Sequence, residues 1–87
     1  MGYQIEIKHS ARKEIEYLPK RDQRRIIAVI EKLSGNPRPE GVRKLTGAED
    51  LYRIRVGDYR IVYQICDKKL VVWVIRIGHR KDIYKRI

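Results

Sequence analysis

Hydrophobic and polar residues alternate most regularly between Leu51 and Gln64, where every second side chain is apolar. This period is typical of a strand with one buried face. Two such runs flank Gly57 and Asp58, and a two-residue turn of this kind predicts a tight β-hairpin. The predicted register pairs Val56 with Tyr59, Arg55 with Arg60, and Ile54 with Ile61.

The two faces of this hairpin differ sharply in charge. Side chains alternate between faces along a strand, so Arg53, Arg55 and Arg60 share one face. Arg55 and Arg60 then lie directly opposite each other, and like charges in that position are destabilising. A bound anion between them would offset this cost, and a nucleic-acid phosphate is the leading candidate. The other face is interpreted as core: Tyr52, Ile54, Val56, Tyr59, Ile61 and Tyr63.

The N-terminal half predicts one strand followed by two helices. Alternation over residues 3–7 predicts a strand with one buried face. Ser10 is a candidate N-cap for a short helix that Pro19 ends. A second helix is predicted from Lys20 to Leu33, and residues 34–37 stop it. The two helices form a hairpin that can cover one face of a sheet.

The C-terminal half predicts a last strand and a tail. A long connection, residues 34–50, leads to the arginine hairpin, and a turn at Asp67-Lys68 leads to a strand from Leu70 to Ile77 that ends at Gly78. Residues 82–87 form either a helical turn or a strand-like tail.

The predicted register of the second hairpin pairs Val62 with Trp73, Ile61 with Val74, and Arg60 with Ile75. The open face would then be half basic and half apolar, the apolar part being Val62, Val71, Trp73 and Ile75. Such a patch should be covered by the tail or by a protein partner.

Charge strengthens the case for an anionic partner. The 87 residues, enough for a single domain (1–87), carry a net charge of +10, of which +3 falls in residues 1–50 and +7 in residues 51–87. Basic residues clustered in this way are the electrostatic signature of a nucleic-acid-binding protein or of a protein with an acidic partner.

Other sequence features narrow the class further. A single cysteine, Cys66, excludes an intramolecular disulfide and fits a reducing cytoplasm. The N-terminus lacks the apolar core of a signal peptide, and the longest apolar run is far shorter than the roughly 20 residues that span a bilayer. The sequence shows neither paired carboxylates nor Cys and His residues at the spacing of metal ligands. We therefore expect a cytoplasmic protein with no membrane contact, metal or cofactor.

A candidate catalytic cluster combines the hairpin with the segment after the last strand. Arg80 and Tyr84 are expected to return to the sheet edge that carries Arg53, Arg55 and Arg60. Clustered guanidinium groups stabilise the dianionic transition state of phosphoryl transfer. They also lower the pKa of a neighbouring tyrosine, whose phenolate could remove a 2′-hydroxyl proton and lead to a cyclic phosphate without a metal.

Two motifs, YRIRVGDYRIVYQI at residues 52–65 and VVWVIRIGHRKDIYKRI at residues 71–87, carry a resemblance to a known family. In their order after a strand and a helix hairpin, they resemble the RelE/ParE superfamily of toxin–antitoxin toxins over essentially the whole chain. The resemblance implies an α+β fold similar to microbial ribonucleases, with helices on one face of a four-stranded, mainly antiparallel sheet. It also implies an mRNA endoribonuclease that acts in the A site of the 70S ribosome and is neutralised by a cognate antitoxin.

The resemblance implies roles for individual residues. Arg53 and Arg55 match basic positions of the first hairpin strand, and Arg60 matches the arginine that stabilises the transition-state phosphate. Arg80 would assist at the leaving oxygen, and Tyr84 would activate the 2′-hydroxyl or stack on a base. Because arginine is a poor proton donor, electrostatic stabilisation is the role assigned to Arg55. The remaining RNA-binding candidates are His79, also a secondary candidate acid or base, and Lys81, Lys85 and Arg86.

Two alternative functions stay open at this point, and so does the role of Trp73. A ParE-like toxin would inhibit DNA gyrase by binding and would cut no RNA, because a shared fold does not fix function. A toxin fold without activity could act as a repressor subunit together with its antitoxin. Trp73 on the open face could stack on a base, contact the antitoxin or pack under the tail.

Overall fold

The structure is a computed structural model and describes residues 2–45 and 50–79. Two helices and five strands form in these residues. In chain order they are β1 (Gln4–Ile7), α1 (His9–Glu16), α2 (Lys20–Leu33), β2 (Arg43–Lys44), β3 (Leu51–Val56), β4 (Tyr59–Cys66) and β5 (Val71–His79).

The strands form one sheet in the order β1-β5-β4-β3-β2, in which β1 is parallel to β5 and the other neighbours are antiparallel. The predicted α+β architecture, a helix hairpin on a mainly antiparallel sheet, is confirmed. The fifth strand, β2, was not predicted because two residues are too short to show a period. It forms within the long connection and pairs with β3.

The core lies between the helix pair and one face of the sheet. The predicted stripe of α2 is confirmed, since Ile26, Ile30 and Leu33 are buried and Ile27 and Val29 pack against them. The sheet contributes Val56, Ile61, Tyr63, Ile65, Val72, Val74 and Ile77. Tyr52 and Tyr59 pack against the same cluster, as the alternation of β3 and β4 predicts.

The start of α1 differs from the prediction. The helix begins at His9 after Lys8, no side chain caps its N-terminus, and Ser10 already lies inside the first turn. Pro19 does separate the helices and directly precedes α2. Because proline tolerates the first helical turn but not the interior, its position fixes the boundary.

The register of the first hairpin is confirmed, with Arg55 opposite Arg60. The predicted register of the second hairpin is wrong: Trp73 pairs with Gln64, Val74 with Tyr63, and Gly78 with Arg60. The turn spans residues 67–70 instead of two residues, and Leu70 takes a left-handed φ of 54°. The longer turn shifts the pairing by two residues, so the residues between the turn and the bulge keep their predicted faces. A bulge between Val62 and Tyr63 then shifts the pairing beyond it by one further residue.

The bulge changes which residue of β5 lies beside Val62. Arg76, and not the predicted Trp73, is opposite Val62, so Ile75 is the extra residue. The apolar part of the open face is therefore smaller than predicted, and Val62 itself is only 3% exposed. Trp73 remains on this face and is 49% exposed, as the alternation predicts.

Side-chain contacts fix the long connection against the sheet. The Arg38 guanidinium donates to both carboxylate oxygens of Asp67, at 3.2 and 2.9 Å, and the Tyr3 hydroxyl donates to Asp67 at 2.7 Å. The buried Tyr63 hydroxyl donates to the carbonyl oxygen of Pro37 at 2.8 Å. Anchored at Pro37 and Arg38, the chain continues into β2 beside β3.

Candidate nucleic-acid interface

The open face of the sheet contains a cleft of about 260 Å³ that is lined almost entirely by arginine. We call this the arginine cleft; its lining residues are Gly41, Arg43, Arg53, Arg55 and Arg60. Three of the predicted site residues therefore meet in one concave surface. Its donors are guanidinium groups, which bind phosphate oxygens in bidentate geometry.

Strand pairing explains how the cleft forms. Arg55 lies opposite Arg60, while Arg53 lies between Arg43 on β2 and Val62 on β4. One terminal guanidinium nitrogen of Arg53 and one of Arg60 are buried, whereas Arg55 is exposed. Burial lowers the local dielectric constant, so a phosphate in the cleft would be attracted more strongly than at an open surface.

The turn of the hairpin holds Arg55 in place. Its Nε donates to the carbonyl oxygen of Gly57 at 2.9 Å, so the side chain lies back along the turn. Gly57 has a φ of +61°, a left-handed conformation that favours glycine, and a Cβ there would lie 3.3 Å from the Arg25 guanidinium. The turn sequence therefore contributes directly to the placement of Arg55.

Sequence reasoning missed Arg43, the fourth arginine of the cleft. The residue belongs to β2, whereas the sequence pattern predicts only a long connection there. The available signal was a pair of basic residues, Arg43 and Lys44, between the turn glycine Gly41 and the arginine hairpin. Nothing in the local pattern shows that this pair lies opposite Arg53.

The far side of the cleft is shaped by β5. Gly78 lies opposite Arg60, so no side chain from β5 covers Arg60 at that position. Next to it, the carboxylate of Glu14 on α1 accepts a hydrogen bond from the Ile77 N–H at 3.0 Å and lies 3.8 Å from Arg76. Glu14 thus closes the part of the β5 edge that β1 does not cover.

His79 lies apart from the arginine cleft. Its ring makes an edge contact with Tyr59, with 6.0 Å between ring centroids. Tyr59 belongs to the helix-covered face, where its hydroxyl donates to Asp22 of α2 at 3.4 Å and burial raises its pKa. The structure therefore brings Arg53, Arg55 and Arg60 together and directs the His79 ring toward the other face.

The other predicted site residues lie outside the described residues: Arg80, Lys81, Tyr84, Lys85 and Arg86. The predictions for the tail, residues 82–87, lie there as well. Their roles stay predictions.

A second cavity of about 330 Å³ lies on the same face, at the opposite end of β4 and β5. We call it the tryptophan pocket; its lining residues are Glu6, Gln64, Cys66, Lys69, Val71 and Trp73. Unlike the arginine cleft, it combines an aromatic ring with one acidic and one basic side chain.

A third concave surface, about 810 Å³, is a groove on the outer side of α2. Ile27 and Ala28 contribute apolar surface, and Lys20, Arg24 and Lys32 are among the residues around them. The groove lies on the helix layer and does not include the converging arginines, so its chemistry suits a protein partner better than a phosphate. No helix within residues 2–45 and 50–79 is long and apolar enough to cross a membrane.

Comparison with known proteins agrees with this architecture. The chain matches the family model of the ParE toxin of type II toxin–antitoxin system, parDE, over residues 5–84. It is 34% identical to a putative RelE-like toxin protein of Escherichia coli, covering 97% of this chain and 92% of that protein. It is also 34% identical to the mRNA interferase toxin RelE of Escherichia coli K12, covering 93% and 86%, respectively.

Solved structures show the same fold. The archaeal RelE–RelB complex from Pyrococcus horikoshii OT3 matches with a TM-score of 0.84 and 33% identity, covering 94% of this chain and 99% of that chain. A mutant of Escherichia coli toxin RelE in the free state matches with a TM-score of 0.80 and 32% identity, covering 100% and 99%. The chain therefore belongs to the RelE/ParE superfamily of type II toxin–antitoxin toxins.

Proposed function

We propose that this protein is the toxin of a toxin–antitoxin pair and an endoribonuclease that cleaves mRNA in the ribosomal A site, which stops translation. The arginine cleft is the observation that carries the proposal, because four arginines line one cavity on the open face of the sheet. The relative named mRNA interferase toxin RelE supports the RNA-cleaving branch of the superfamily. Since the target is the ribosome, the protein acts in the cytoplasm.

The proposed reaction needs no group besides side chains and substrate. The 2′-oxygen bonds to the adjacent phosphorus while the bond to the 5′-oxygen breaks, giving a 2′,3′-cyclic phosphate and a free 5′-hydroxyl. Arg55 and Arg60 stabilise the extra negative charge on the phosphorane oxygens. Arg43 and Arg53 hold the neighbouring backbone phosphate.

Two protons move in this reaction. The Tyr84 phenolate takes the proton of the 2′-hydroxyl, and the 5′-oxygen receives one either from Arg80 or, after its ring turns from Tyr59 toward the arginine cleft, from His79. A substrate with a 5′-thio leaving group distinguishes these two donors, because thiolate leaves without protonation. Only the variant that lacks the true donor, Arg80→Ala or His79→Ala, should recover its rate on that substrate.

The direct test uses purified toxin and ribosomes programmed with a defined A-site codon. Removing one charge-stabilising donor from a transition state costs about 10²–10³-fold in rate, so Arg60→Ala should slow cleavage by that factor. Arg21→Ala is the matched control, because Arg21 is exposed on α2, away from the open face. Equal cleavage by wild type and Arg60→Ala would contradict the proposal.

Metal independence has its own test. A phosphorothioate at the scissile phosphate should slow cleavage to the same extent in Mg²⁺ and after addition of Cd²⁺. Guanidinium groups contact the phosphate in this proposal, and adding a metal ion that binds sulfur does not change their contacts. Rescue of the sulfur substrate by Cd²⁺ would indicate a metal ion at the phosphate and would contradict this part of the proposal.

The proposed protein partner is the antitoxin, and the groove on α2 suits an acidic, amphipathic helix. Apolar surface at Ile27 and Ala28 would contact its apolar side, and Lys20, Arg24 and Lys32 would pair with its acidic residues. The toxin should then unfold at a higher temperature in the complex than alone. Coincident midpoints would contradict a stabilising complex.

One observation favours a second candidate function. The matching family model is named for the ParE toxin, and a ParE-like toxin would inhibit DNA gyrase by binding without RNA cleavage. Loss of gyrase supercoiling activity at toxin concentrations that leave ribosome-bound mRNA intact would establish this alternative. The arginine cleft would then be a binding surface for an anionic partner.

A further inference from the structure

We propose that the tryptophan pocket is a nucleobase subsite, in which Trp73 stacks on a base of the RNA strand whose backbone occupies the arginine cleft. The inference deepens the proposed function, on which it rests for the class of its substrate. It assigns the aromatic residue of the open face to RNA and not to the antitoxin or to the tail.

The exposed aromatic surface of Trp73 suits a nucleobase. Trp73 is 49% exposed, although its neighbours Val72 and Val74 in β5 are fully buried. Exposed aromatic rings on a sheet face are the usual platforms for unstacked bases of single-stranded RNA. The 330 Å³ cavity beside the ring provides a concave place for such a base.

The charge of the tryptophan pocket also favours a base. Glu6 and Lys69 both line it, so the two formal charges cancel, whereas the arginine cleft carries only positive charge. The tryptophan pocket therefore offers no net attraction to a phosphate or to an acidic segment of a protein partner. A base is neutral and aromatic, and it carries donors and acceptors on its edge.

A polar side chain lies beside Trp73 on the neighbouring strand. Gln64 is the direct cross-strand partner of Trp73, and both line the pocket. A glutamine amide offers a donor and an acceptor side by side, the pattern that pairs with the edge of adenine. Stacking on Trp73 supplies affinity for any base, and hydrogen bonds from Gln64 supply a preference for adenine.

The tryptophan pocket lies close enough to the arginine cleft for one RNA strand to occupy both. Leu51, Gln64 and Trp73 form one row across the sheet, and Arg53 and Val62 belong to the next row but one along the same strands. Two residues of a strand span about 7 Å and two strand spacings add about 10 Å, so the backbones at Arg53 and Trp73 lie roughly 12 Å apart. An RNA strand held over Arg53 can therefore place the base of the same or the next nucleotide against Trp73. The arginine cleft thus binds the backbone of the RNA strand, and the tryptophan pocket binds one of its bases.

Intrinsic fluorescence tests the stacking directly, because Trp73 is the only tryptophan of the chain. The probes are a short 2′-O-methyl oligoadenylate, which cannot be cleaved by 2′-hydroxyl attack, and an abasic 2′-O-methyl ribose-phosphate chain of equal length. The net charge of +10 ensures that both bind at low salt. Only the oligoadenylate should quench Trp73 emission; equal emission with both bound probes would overturn the inference.

Variants separate stacking from general binding. Trp73→Ala should weaken oligoadenylate binding about 5- to 100-fold, and Trp73→Phe should restore most of it, because a phenyl ring still stacks. Tyr17→Ala is the matched control, since Tyr17 is 88% exposed at the end of α1 and lies on the helix layer. Trp73→Ala and Tyr17→Ala with the same affinity as wild type would overturn the inference.

Cleavage on programmed ribosomes distinguishes failure of this inference from failure of the proposed function. Arg60-dependent cleavage without base-specific quenching would overturn the base subsite and support the proposed nuclease activity. Base-specific quenching by a protein that cuts no mRNA would overturn the proposed nuclease activity and support the base subsite. Unchanged RNA binding by Trp73→Ala, together with a weakened antitoxin complex, would assign the pocket to the protein partner and overturn the inference.

Discussion

The two faces of the sheet use the same strands for opposite purposes. On the helix-covered face, Ile54 lies opposite Ile61, and the surrounding apolar side chains form a closed core. One residue further along the same hairpin, on the open face, Arg55 lies opposite Arg60. The first pair stabilises the fold, whereas like charges placed directly opposite each other, as in the second pair, oppose it, and a bound anion would offset that cost. The difference indicates that folding depends on one face and ligand binding on the other.

The largest predicted effect breaks the helix-covered face. Tyr63 is fully buried, and Tyr63→Ala removes a ring from the core and a hydrogen bond to Pro37. Truncation of a buried aromatic side chain costs about 3–5 kcal/mol in free energy of unfolding. Urea denaturation followed by Trp73 emission measures the loss. A change below about 1 kcal/mol, the size expected of an ordinary mutation, would contradict the placement of Tyr63 in the core.

The second effect sharpens the comparison by moving stability and activity in opposite directions. Arg55→Glu converts a repulsive cross-strand pair into an attractive one and should stabilise the fold by about 0.2–1 kcal/mol. The same change places a carboxylate in the arginine cleft and should lower mRNA cleavage by about 10²-fold or more. Arg21→Glu on α2 introduces the same charge away from the cleft and should remain active. A destabilised Arg55→Glu protein, or an active one, would contradict the division between the faces.

At the edge where the two faces meet, a substitution is expected to change stability alone and not cleavage. Glu14→Ala removes the acceptor of the Ile77 N–H, and an unpaired, partly buried donor costs about 1–3 kcal/mol. Glu14→Gln keeps an acceptor oxygen at the same position and should lose less. Urea midpoints of the two variants test this order. Equal losses would mean that charge, through Arg76, and not the hydrogen bond, makes the contact important.

The smallest effect concerns the contact that anchors the long connection. Hydrogen bonds from Arg38 and then from Tyr3 lower the pKa of Asp67. A lowered pKa in the folded protein means that Asp67 contributes stability above its unfolded value of about 4 and loses it as the pH falls through the folded value. The difference in urea midpoint between wild type and Asp67→Asn should therefore be present at neutral pH and shrink in acid. A difference that grows in acid would have the wrong sign for this contact, which is solvent-exposed and hence weak.

Sequence reasoning predicted the helix hairpin and the first β-hairpin because their signals are local. Pro19 marks the boundary between the helices, and Gly57-Asp58 fixes the register that places Arg55 opposite Arg60. The face of each residue in β3 and β4 follows from alternation alone. Three arginines of the cleft could therefore be predicted without coordinates.

The rest depends on contacts that are distant in sequence. The register of the second hairpin depended on a four-residue turn with Leu70 at positive φ, which composition alone does not indicate. Arg43 joins the cleft only because the connection is anchored through Pro37 and Arg38 and then pairs with β3. The balance of Glu6 and Lys69 beside Trp73 likewise combines residues from β1 and the turn after β4.

The central claim is that the arginine cleft cleaves mRNA on the ribosome. The most direct measurement is 5′-end mapping of cellular mRNA after brief induction of wild type, Arg60→Ala and Arg21→Ala. We expect new cuts inside translated codons with wild type and Arg21→Ala, and their loss with Arg60→Ala. Growth arrest with intact mRNA, or the same cuts with Arg60→Ala, would contradict the account.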